Sequence, residues 1–364
     1  MLKKLKAWWR GRRNARKARR LTKARAQWDK RFSDAPFSAD TIKQVALLRW
    51  DDKLGDAITS TLFIEALTEH RPDIEITVLT GLVSAQLFKD MAGNVRVEVL
   101  EKRSWDTAKT LNHFAGKFDL VVELGSSLGD RDLFALHQLQ AAHYLGYGKE
   151  DYQLFDVVLP QHCQHFADRY LAAAKLLCPA ATLDRRFYVL GNPIAEAEAE
   201  RFLAQLPIGP KVAINLFGSA NHRQFNEEEA LSLLSWWRSH FAEHQLLLLR
   251  VPGKDELLDK LAATGFAVTT PAPASLAMTM AVLRRVDLVF SPDTSVVHFA
   301  GALDKPLVAI YNNSPRNFAE WRPLSEKHAV VFTRAPTMAN DKVKITEFDQ
   351  VRLAEAIDSV LTSK

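Results

Sequence analysis

An aspartate directly after a glycine, at the start of a predicted helix, is the first residue whose position suggests chemistry. An apolar strand at residues 45–48 leads through a polar loop to Gly55 and Asp56, and an apolar helix follows. A carboxylate at a helix start either caps free amide groups or faces a cleft, and both roles are open for Asp56. If it faces a cleft, it can accept the proton of an attacking hydroxyl group. Asp56 is therefore our candidate general base.

The same loop carries three more charged side chains. Asp51 and Asp52 are alternatives for the base, although acids in a loop are also commonly solvated and can offset the charge of Lys53. We assign Asp52 and Lys53 to the binding of an acceptor substrate.

A second loop has the composition of an anion site. After the apolar strand at residues 288–290 come Asp293, Thr294, Ser295 and, one turn further, His298. Backbone amides at a helix N-terminus point outward with the positive end of the helix dipole, and the two hydroxyl groups add donors. The pattern predicts a diphosphate site with His298 as a further donor. Asp293 would repel a phosphate, so we expect its carboxylate to cap amides or to bind sugar hydroxyl groups.

Two further loops of the second half follow predicted strands. Gly218 and Ser219 allow the backbone to approach a ligand closely, and Arg223 can neutralise the charge of a leaving diphosphate. Glu256 can accept hydrogen bonds from ribose hydroxyl groups, or it is an acid that favours a helix start. A surface cation is the other interpretation of Arg223, and a structural histidine is that of His298.

The elements that must position these loops alternate along the chain. Short apolar runs of strand length alternate with helix-like segments over about residues 45–158 and again over 212–332. This alternation predicts an α/β protein with two doubly wound parallel sheets, whose ligands gather at the carboxyl ends of the strands. We expect a tail and linker at residues 1–40, an N-terminal acceptor domain at 41–190 and a C-terminal donor domain at 191–364.

The first 31 residues are strongly basic. They hold 14 Lys and Arg and one acid, whereas the rest of the chain holds 34 bases and 42 acids. Leu2, Leu5, Trp8 and Trp9 fall roughly three or four residues apart, which predicts a basic helix with an apolar stripe suited to an interface. We expect residues 1–32 to bind an anionic membrane surface. An acidic protein, a nucleic acid or no specific partner are the alternatives.

Composition also limits the cellular setting. The 364 residues include two cysteines, Cys163 and Cys178, without metal-ligand spacing, which fits a reduced cytoplasmic setting. The longest apolar runs have strand length, and no apolar segment of a secretory signal follows the first lysines. We therefore predict a cytoplasmic protein that associates peripherally with an inner membrane.

Three segments together carry a resemblance to a known family. They are Leu-Gly-Asp at residues 54–56, the loop at 218–225, and Ser-Pro-Asp-Thr-Ser-Val-Val-His at 291–298 with the strand that follows. Over about residues 44–345 the chain resembles the heptosyltransferases of lipopolysaccharide core assembly, glycosyltransferase family 9. The resemblance implies a GT-B fold of two facing Rossmann-like domains. It also implies inverting transfer of heptose from ADP-heptose to a lipid-anchored core saccharide, without a metal ion or another cofactor.

The resemblance implies roles for individual residues as well. Asp56 matches the catalytic base of the family, and Arg223 matches a basic residue that faces the diphosphate. The donor-binding motif of the family matches Asp293, Thr294, Ser295 and His298. Ser295 stands where the family commonly has glycine, and Arg223 stands where lysine is frequent, which bears on donor identity more than on fold.

Two other functions stay open on the sequence alone. Another GT-B activity on a nucleotide sugar, with a different donor or as an epimerase, would share the fold. The alternative from another class is a basic-tailed binding protein for nucleic acid with inert loops, which we do not expect.

Overall fold

The computed structural model divides into two compact units, Met1–Arg186 and Phe187–Lys364. It describes residues 2–185, 187–337 and 341–362, and the side chains of residues 2–7 and 10 are not among the described atoms. Leu2 and Leu5 of the predicted apolar stripe therefore lie outside the described side chains. Each unit is built around one parallel sheet.

The first unit alternates helices and strands. Its elements are α1 (Leu2–Trp28), β1 (Gln44–Arg49), α2 (Leu54–His70), β2 (Glu75–Thr80), α3 (Leu82–Phe88), β3 (Val95–Val99), α4 (Trp105–Thr110), β4 (Leu120–Glu123), α5 (Asp130–Leu139), β5 (His143–Tyr147), β6 (Val157–Leu159) and α6 (Phe166–Leu177). The strands are ordered β3-β2-β1-β4-β5-β6, and neighbouring strands run parallel.

The second unit repeats this arrangement. Its elements are α7 (Pro193–Ala204), β7 (Lys211–Ile214), α8 (Glu227–His240), β8 (Gln245–Leu248), α9 (Asp255–Ala262), β9 (Val268–Thr269), α10 (Leu276–Arg285), β10 (Leu288–Pro292), α11 (Ser295–Ala302), β11 (Leu307–Tyr311), α12 (Pro315–Trp321), β12 (His328–Phe332) and α13 (Gln350–Thr362). The strand order is β12-β11-β10-β7-β8-β9, again with parallel neighbours.

Both sheets have the same topology when their strands are counted in chain order. The first strand of each unit lies at the centre and pairs on one side with the second and on the other with the fourth. The order in which strands are added to the sheet reverses between the first and fourth strands, so a crevice opens there at their carboxyl ends. Ligands of doubly wound sheets bind in this crevice. The two predicted Rossmann-like units are confirmed.

Burial explains why the central strands are apolar along their whole length. Every residue of β10 and β11 is buried, because helices cover both faces of the sheet. The final helix α13 packs against β11 and β12, which assigns it to the second unit.

The sequence analysis missed β5, α7 and α12. Strand β5 has the sequence His-Tyr-Leu-Gly-Tyr, in which histidine, glycine and tyrosine hide the short apolar run. Helix α7 begins with Pro193 after Asn192, whose side chain accepts a hydrogen bond from the Ala195 amide. The asparagine and the proline are therefore a helix start.

The C-terminal part of α1 belongs to the first unit. Ala24 is buried, and Trp28 packs against Trp105 and Phe134 with ring centroids 5.9 and 4.7 Å away. The buried carboxylate of Asp29 accepts a hydrogen bond of 2.9 Å from the Leu154 amide. The helix is therefore anchored on the unit, whereas the sequence had suggested a separate tail. Of the helices described here, none combines the length and the apolar character that crossing a bilayer requires.

Candidate functional site

The proposed base lies at the carboxyl edge of the first sheet. Strand β1 ends at Arg49, and Asp56 occupies the first turn of α2 after a short loop. Lys53 takes the N-cap position of that helix, so Asp56 does not cap it. Of the two roles left open by the sequence, helix capping is not the one that the structure shows, and the role of Asp56 as a base stays a prediction.

Asp56 is held by a cation. Its carboxylate lies 3.0 Å from a guanidinium nitrogen of Arg49, which also contacts Asp51 at 2.9 Å. The second terminal nitrogen of Arg49 donates to the Tyr170 hydroxyl at 3.0 Å. Burial raises the pKa of Asp56, Arg49 lowers it, and the nearby Asp51 raises it again, with a net increase above the ordinary value. A buried carboxylate with a raised pKa is a better proton acceptor than an exposed one.

Burial alone would lower the pKa of Arg49, but Asp51, Tyr170 and Asp56 together raise it well above its usual value. Arg49 therefore stays charged. The same burial raises the pKa of Tyr170 to about 12, so its hydroxyl keeps its proton. The sequence analysis missed Arg49, although a charged residue that ends an apolar strand was a usable signal.

The two predicted acceptor residues have different surroundings. Asp52 adopts a left-handed backbone with φ 55°, and its carboxylate accepts hydrogen bonds from the Ser84 and Val83 amides at 2.7 and 3.3 Å. It caps the start of α3, because free amides at a helix start bind a carboxylate. This use of Asp52 speaks against a role in acceptor binding. Lys53 is exposed, with its ammonium 3.8 Å from Asp51.

A second group of buried charges follows β4 and β5. Glu123 ends β4, and burial raises the pKa of its carboxyl group, while Lys149 at 3.9 Å lowers it. The Lys149 ammonium donates to the Gly125 and Tyr147 carbonyl oxygens. Glu123 and Lys149 lie at the carboxyl edge beside the loop of Asp56, and the sequence analysis named neither of them.

In the second unit, the crevice lies between β7 and β10. Asn215, which directly follows β7, donates to the hydroxyl oxygens of Ser291 and Thr294 at 3.0 and 2.9 Å. Thr294 is the N-cap of α11 and accepts a hydrogen bond from the Val296 amide. Thr294 thereby links the two strands of the crevice to the helix start. The sequence analysis did not name Asn215 as a site residue, because it directly follows an apolar strand and resembles the last residue of that strand.

Asp293 and Arg223 form an ion pair at this crevice. A guanidinium nitrogen of Arg223 lies 2.9 Å from the Asp293 carboxylate, which also accepts from the Asn317 side chain at 2.8 Å. The expectation that Asp293 caps amides is wrong, since Thr294 occupies the cap. The Arg223 side chain is partly exposed, whereas that of Asp293 is buried.

His298 lies one turn into α11 and is 8% exposed. Burial lowers its pKa to about 4, although the Asp293 charge acts in the opposite direction. The ring packs against Trp321 at a centroid distance of 5.3 Å. The imidazole is therefore neutral at physiological pH and can serve as a hydrogen-bond donor but not as a cation.

The remaining predicted site residues lie in loops and at helix starts of the second unit. A Cβ atom on Gly218 would lie 2.8 Å from the Arg223 Cβ and 2.9 Å from its carbonyl oxygen, so the glycine is needed for packing of the loop itself. Ser219 is exposed and Ser295 is half-buried. Glu256 starts α9, is paired with Lys260 at 3.0 Å, and lines a groove of about 540 Å³.

Sequence comparison finds glycosyltransferases that resemble this chain. The profile of glycosyltransferase family 9 (heptosyltransferase) matches residues 238–350. The putative lipopolysaccharide heptosyltransferase 4 of Escherichia coli is 22% identical over 280 residues, which cover 75% of this chain and 75% of that protein. The chain is thus similar to glycosyltransferase family 9 over these residues.

Solved structures share the fold of this chain. A glycosyl transferase family 9 protein from Veillonella parvula superposes with a TM-score of 0.66 at 17% identity, covering 88% of this chain and 97% of that one. The ADP-heptose lps heptosyltransferase II of Escherichia coli gives a TM-score of 0.63 at 17% identity, covering 88% and 98%. The GT-B fold class and the assignment as a glycosyltransferase are confirmed.

The residues that match the family profile fall in the second unit. They include the loop of Asp293, Thr294 and His298 and the start of α9. Asp56 and Arg223 lie outside the matched residues. The roles of all these site residues stay predictions.

Proposed function

We propose that this glycosyltransferase moves heptose from ADP-heptose to a lipopolysaccharide core acceptor, with inversion at the anomeric carbon. The names of two similar proteins support the donor and the pathway: a putative lipopolysaccharide heptosyltransferase and an ADP-heptose lps heptosyltransferase. The acceptor is a lipid-anchored core saccharide, and the enzyme works in the cytoplasm at the inner membrane, whose anionic surface is bound by the basic N-terminal helix within residues 1–32.

The observation that carries this proposal is the buried pair of Asp56 and Arg49 at the carboxyl edge of the first sheet. The acceptor oxygen forms a bond to the anomeric carbon as the bond from that carbon to the diphosphate oxygen breaks. Asp56 takes the proton of the acceptor hydroxyl, and the electron pair of the broken bond stays on ADP. The raised pKa of Asp56 suits this proton transfer.

The second unit supplies the donor site. Negative charge builds on the diphosphate as it leaves, and the partly exposed Arg223 and the amides at the start of α11 offer positive charge to it. Thr294 and Ser295 add hydroxyl groups, and the neutral His298 adds an uncharged donor. Transfer proceeds without a metal ion in this scheme.

Further proposed contacts complete the two sites. In the donor site, the Gly218–Ser219 backbone approaches the nucleotide, Asp293 orients Arg223, and Glu256 contacts the ribose. In the acceptor site, the exposed ammonium of Lys53 binds the core saccharide.

An assay of Asp56→Asn tests the central role. The variant keeps size and polarity but cannot accept the proton, so we expect kcat with ADP-heptose and a soluble core acceptor to fall by about 10²–10⁴-fold. Asp51→Asn is the matched control from the same loop, and its kcat should stay within about tenfold of wild type. Wild-type turnover by Asp56→Asn would remove Asp56 from the mechanism.

Incubation with donor alone separates transfer from rearrangement of the nucleotide sugar. We expect ADP release only when the acceptor is present, and the same rate in the presence of a metal chelator. Conversion of the free donor without acceptor would favour the epimerase alternative.

A further inference from the structure

Helix α1 contacts the first unit along one part of its length. Arg20 forms an ion pair of 2.9 Å with Asp130, the first residue of α5. Trp28 contacts Phe134 in the middle of α5. The contacts thus progress in the same direction along both helices, so α1 and α5 run parallel. We call residues 20–32 the docked segment of this helix and its extension.

The N-terminal part of α1 extends past the carboxyl edge of the first sheet. Helix α5 follows the carboxyl end of β4, so Asp130 lies at that edge. Since α1 runs parallel to α5 and meets Asp130 at Arg20, residues 2–19 continue beyond the edge. Eighteen helical residues span about 27 Å at 1.5 Å per residue. We call them the projecting segment, which leaves the unit on the side where the Asp56 loop lies.

The surface of the projecting segment is basic and carries two indoles. Residues 2–19 contain nine Lys and Arg and no acid. The side chains described there are exposed, including Trp8 and Trp9 at 50% and 55%, and Arg12 stacks on Trp8 at 4.5 Å. Tryptophan and clustered bases are the residues that bind the interface of an anionic bilayer. The rest of the chain has more acids than bases, so only this segment offers complementary charge.

We propose that α1 is a stiff arm whose projecting segment meets an anionic phospholipid bilayer at an angle and turns the carboxyl edge of the first sheet toward that surface. The proposal rests on the proposed function in one respect: the orientation brings the site to its acceptor only if that acceptor is anchored in the membrane. The docked segment fixes the arm through Trp28, the buried Asp29 and the Arg20 ion pair. The helix is continuous from Leu2 to Trp28, so the direction of the projecting segment relative to the first unit is fixed.

Vesicle binding of the full chain tests whether the projecting segment binds an anionic bilayer. At physiological salt we expect co-flotation with vesicles of phosphatidylglycerol and phosphatidylcholine, and none with phosphatidylcholine alone. The triple variant Arg12→Gln, Arg13→Gln, Arg16→Gln should lower the partition coefficient on the order of 100-fold, from about fivefold for each base. The control Arg201→Gln, Lys327→Gln, Arg352→Gln removes three exposed bases of the second unit and should bind as wild type. Unchanged binding by the Arg12 triple variant, or binding to duplex DNA but not to vesicles, overturns the proposal.

Fluorescence quenching tests the orientation without any transfer reaction. A label on Lys53→Cys sits at the carboxyl edge, and one on Lys117→Cys sits just before β4 at the opposite edge; both native cysteines are buried. With nitroxide headgroup lipids, we expect at least threefold stronger quenching at residue 53. Equal quenching, or stronger quenching at residue 117, overturns the orientation.

A proline in the arm tests its stiffness. Ala18→Pro interrupts the helix between the projecting and docked segments, and Ala18→Ser is the matched control. We expect the proline variant to keep vesicle binding within about threefold and to lose the difference in quenching between residues 53 and 117. A preserved difference in Ala18→Pro would overturn the stiff arm. Failure of the transferase assay would leave both vesicle results intact, so the two proposals fail separately.

Discussion

At the carboxyl end of β1, one guanidinium group serves two carboxylates. Arg49 lies 3.0 Å from Asp56 and 2.9 Å from Asp51, and all three side chains are largely shielded from water. Burial favours the protonated form of Asp56, and the cation opposes it. The protonation of the proposed base therefore depends on a residue that need not touch the substrate, which makes Arg49 a positioning residue.

Substitution of Arg49 should change the pH dependence of transfer. In Arg49→Gln the favourable charge near Asp56 is lost, so the pKa of Asp56 rises further. Because the base acts in its deprotonated form, the acidic limb of kcat/KM should move to higher pH by the same amount. A pH profile of kcat/KM from pH 5 to 9 measures this.

Tyr170→Phe is the matched control for this experiment. It removes the hydroxyl that contacts Arg49 but keeps the guanidinium charge, so the acidic limb should shift by less than about half a unit. If Arg49→Gln lowers activity equally at every pH, Arg49 has only a structural role.

His298 should make the stability of the second unit sensitive to acid. Its pKa is about 4 in the folded state and 6.5 ordinarily. Between these values the unfolded chain binds a proton that the folded chain does not, so the free energy of unfolding falls as pH drops. The loss amounts to about 3 kcal/mol over the window. Hydrogen exchange at the amides of β10 and β11, at pH 7 and pH 4.5, reports it.

His298→Gln should remove most of this difference between the two pH values, since glutamine does not titrate. His328→Gln, at an exposed position of the same unit, is the control and should keep the wild-type difference. A wild-type difference in His298→Gln would show that His298 does not cause the acid sensitivity.

At the scale of elements, α1 combines an exposed part with a packed part. Deleting residues 2–19 should change the free energy of unfolding of the first unit by less than about 0.5 kcal/mol, because the described side chains there are exposed. Deleting residues 2–32 also removes Trp28 and Asp29, and it should cost about 3 kcal/mol or more. Hydrogen exchange at the β4 and β5 amides measures both.

A single substitution in the docked segment serves as the comparison for the deletion of residues 2–32. Trp28→Ala leaves the chain length unchanged and should account for a large share of the same loss, since it uncovers Trp105 and Phe134. Equal stability of the two truncated chains would mean that the docked segment does not contribute to the unit.

At the scale of the whole molecule, two units with separate sheets and cores should respond separately to a ligand. If the second unit binds the donor, ADP at 100 times its Kd should stabilise that unit by about 2.7 kcal/mol. The first unit, which supplies no donor contact in our proposal, should be unchanged. Hydrogen exchange with and without ADP checks this unit by unit.

Asn215→Ala provides the control for the ADP experiment. It removes the amide that joins Ser291 and Thr294, so the ADP-dependent protection of the second unit should shrink. Protection confined to the first unit would assign the nucleotide to the other sheet and contradict the proposed division of labour.

The sequence by itself determined the fold class and the loops in which to look. Apolar runs of strand length alternating with amphipathic segments can be buried only as parallel sheets covered by helices, which is a local pattern that needs no coordinates. The donor motif at Asp293 to His298 was visible for the same reason, because its residues are adjacent in the chain. Strand β5 was not predicted, since its glycine and histidine weaken the apolar pattern of a buried strand.

Only the tertiary structure decided what each polar side chain contacts. Asp52 caps α3, Asp293 pairs with Arg223, and Arg49 holds Asp56, and the first two of these pairings join segments about 30 and 70 residues apart. The energy of a carboxylate depends on the amides, cations and burial around it, and these come from remote parts of the chain. Residue type therefore indicated where charge lies along the sequence, whereas its partners and its pKa came from folding.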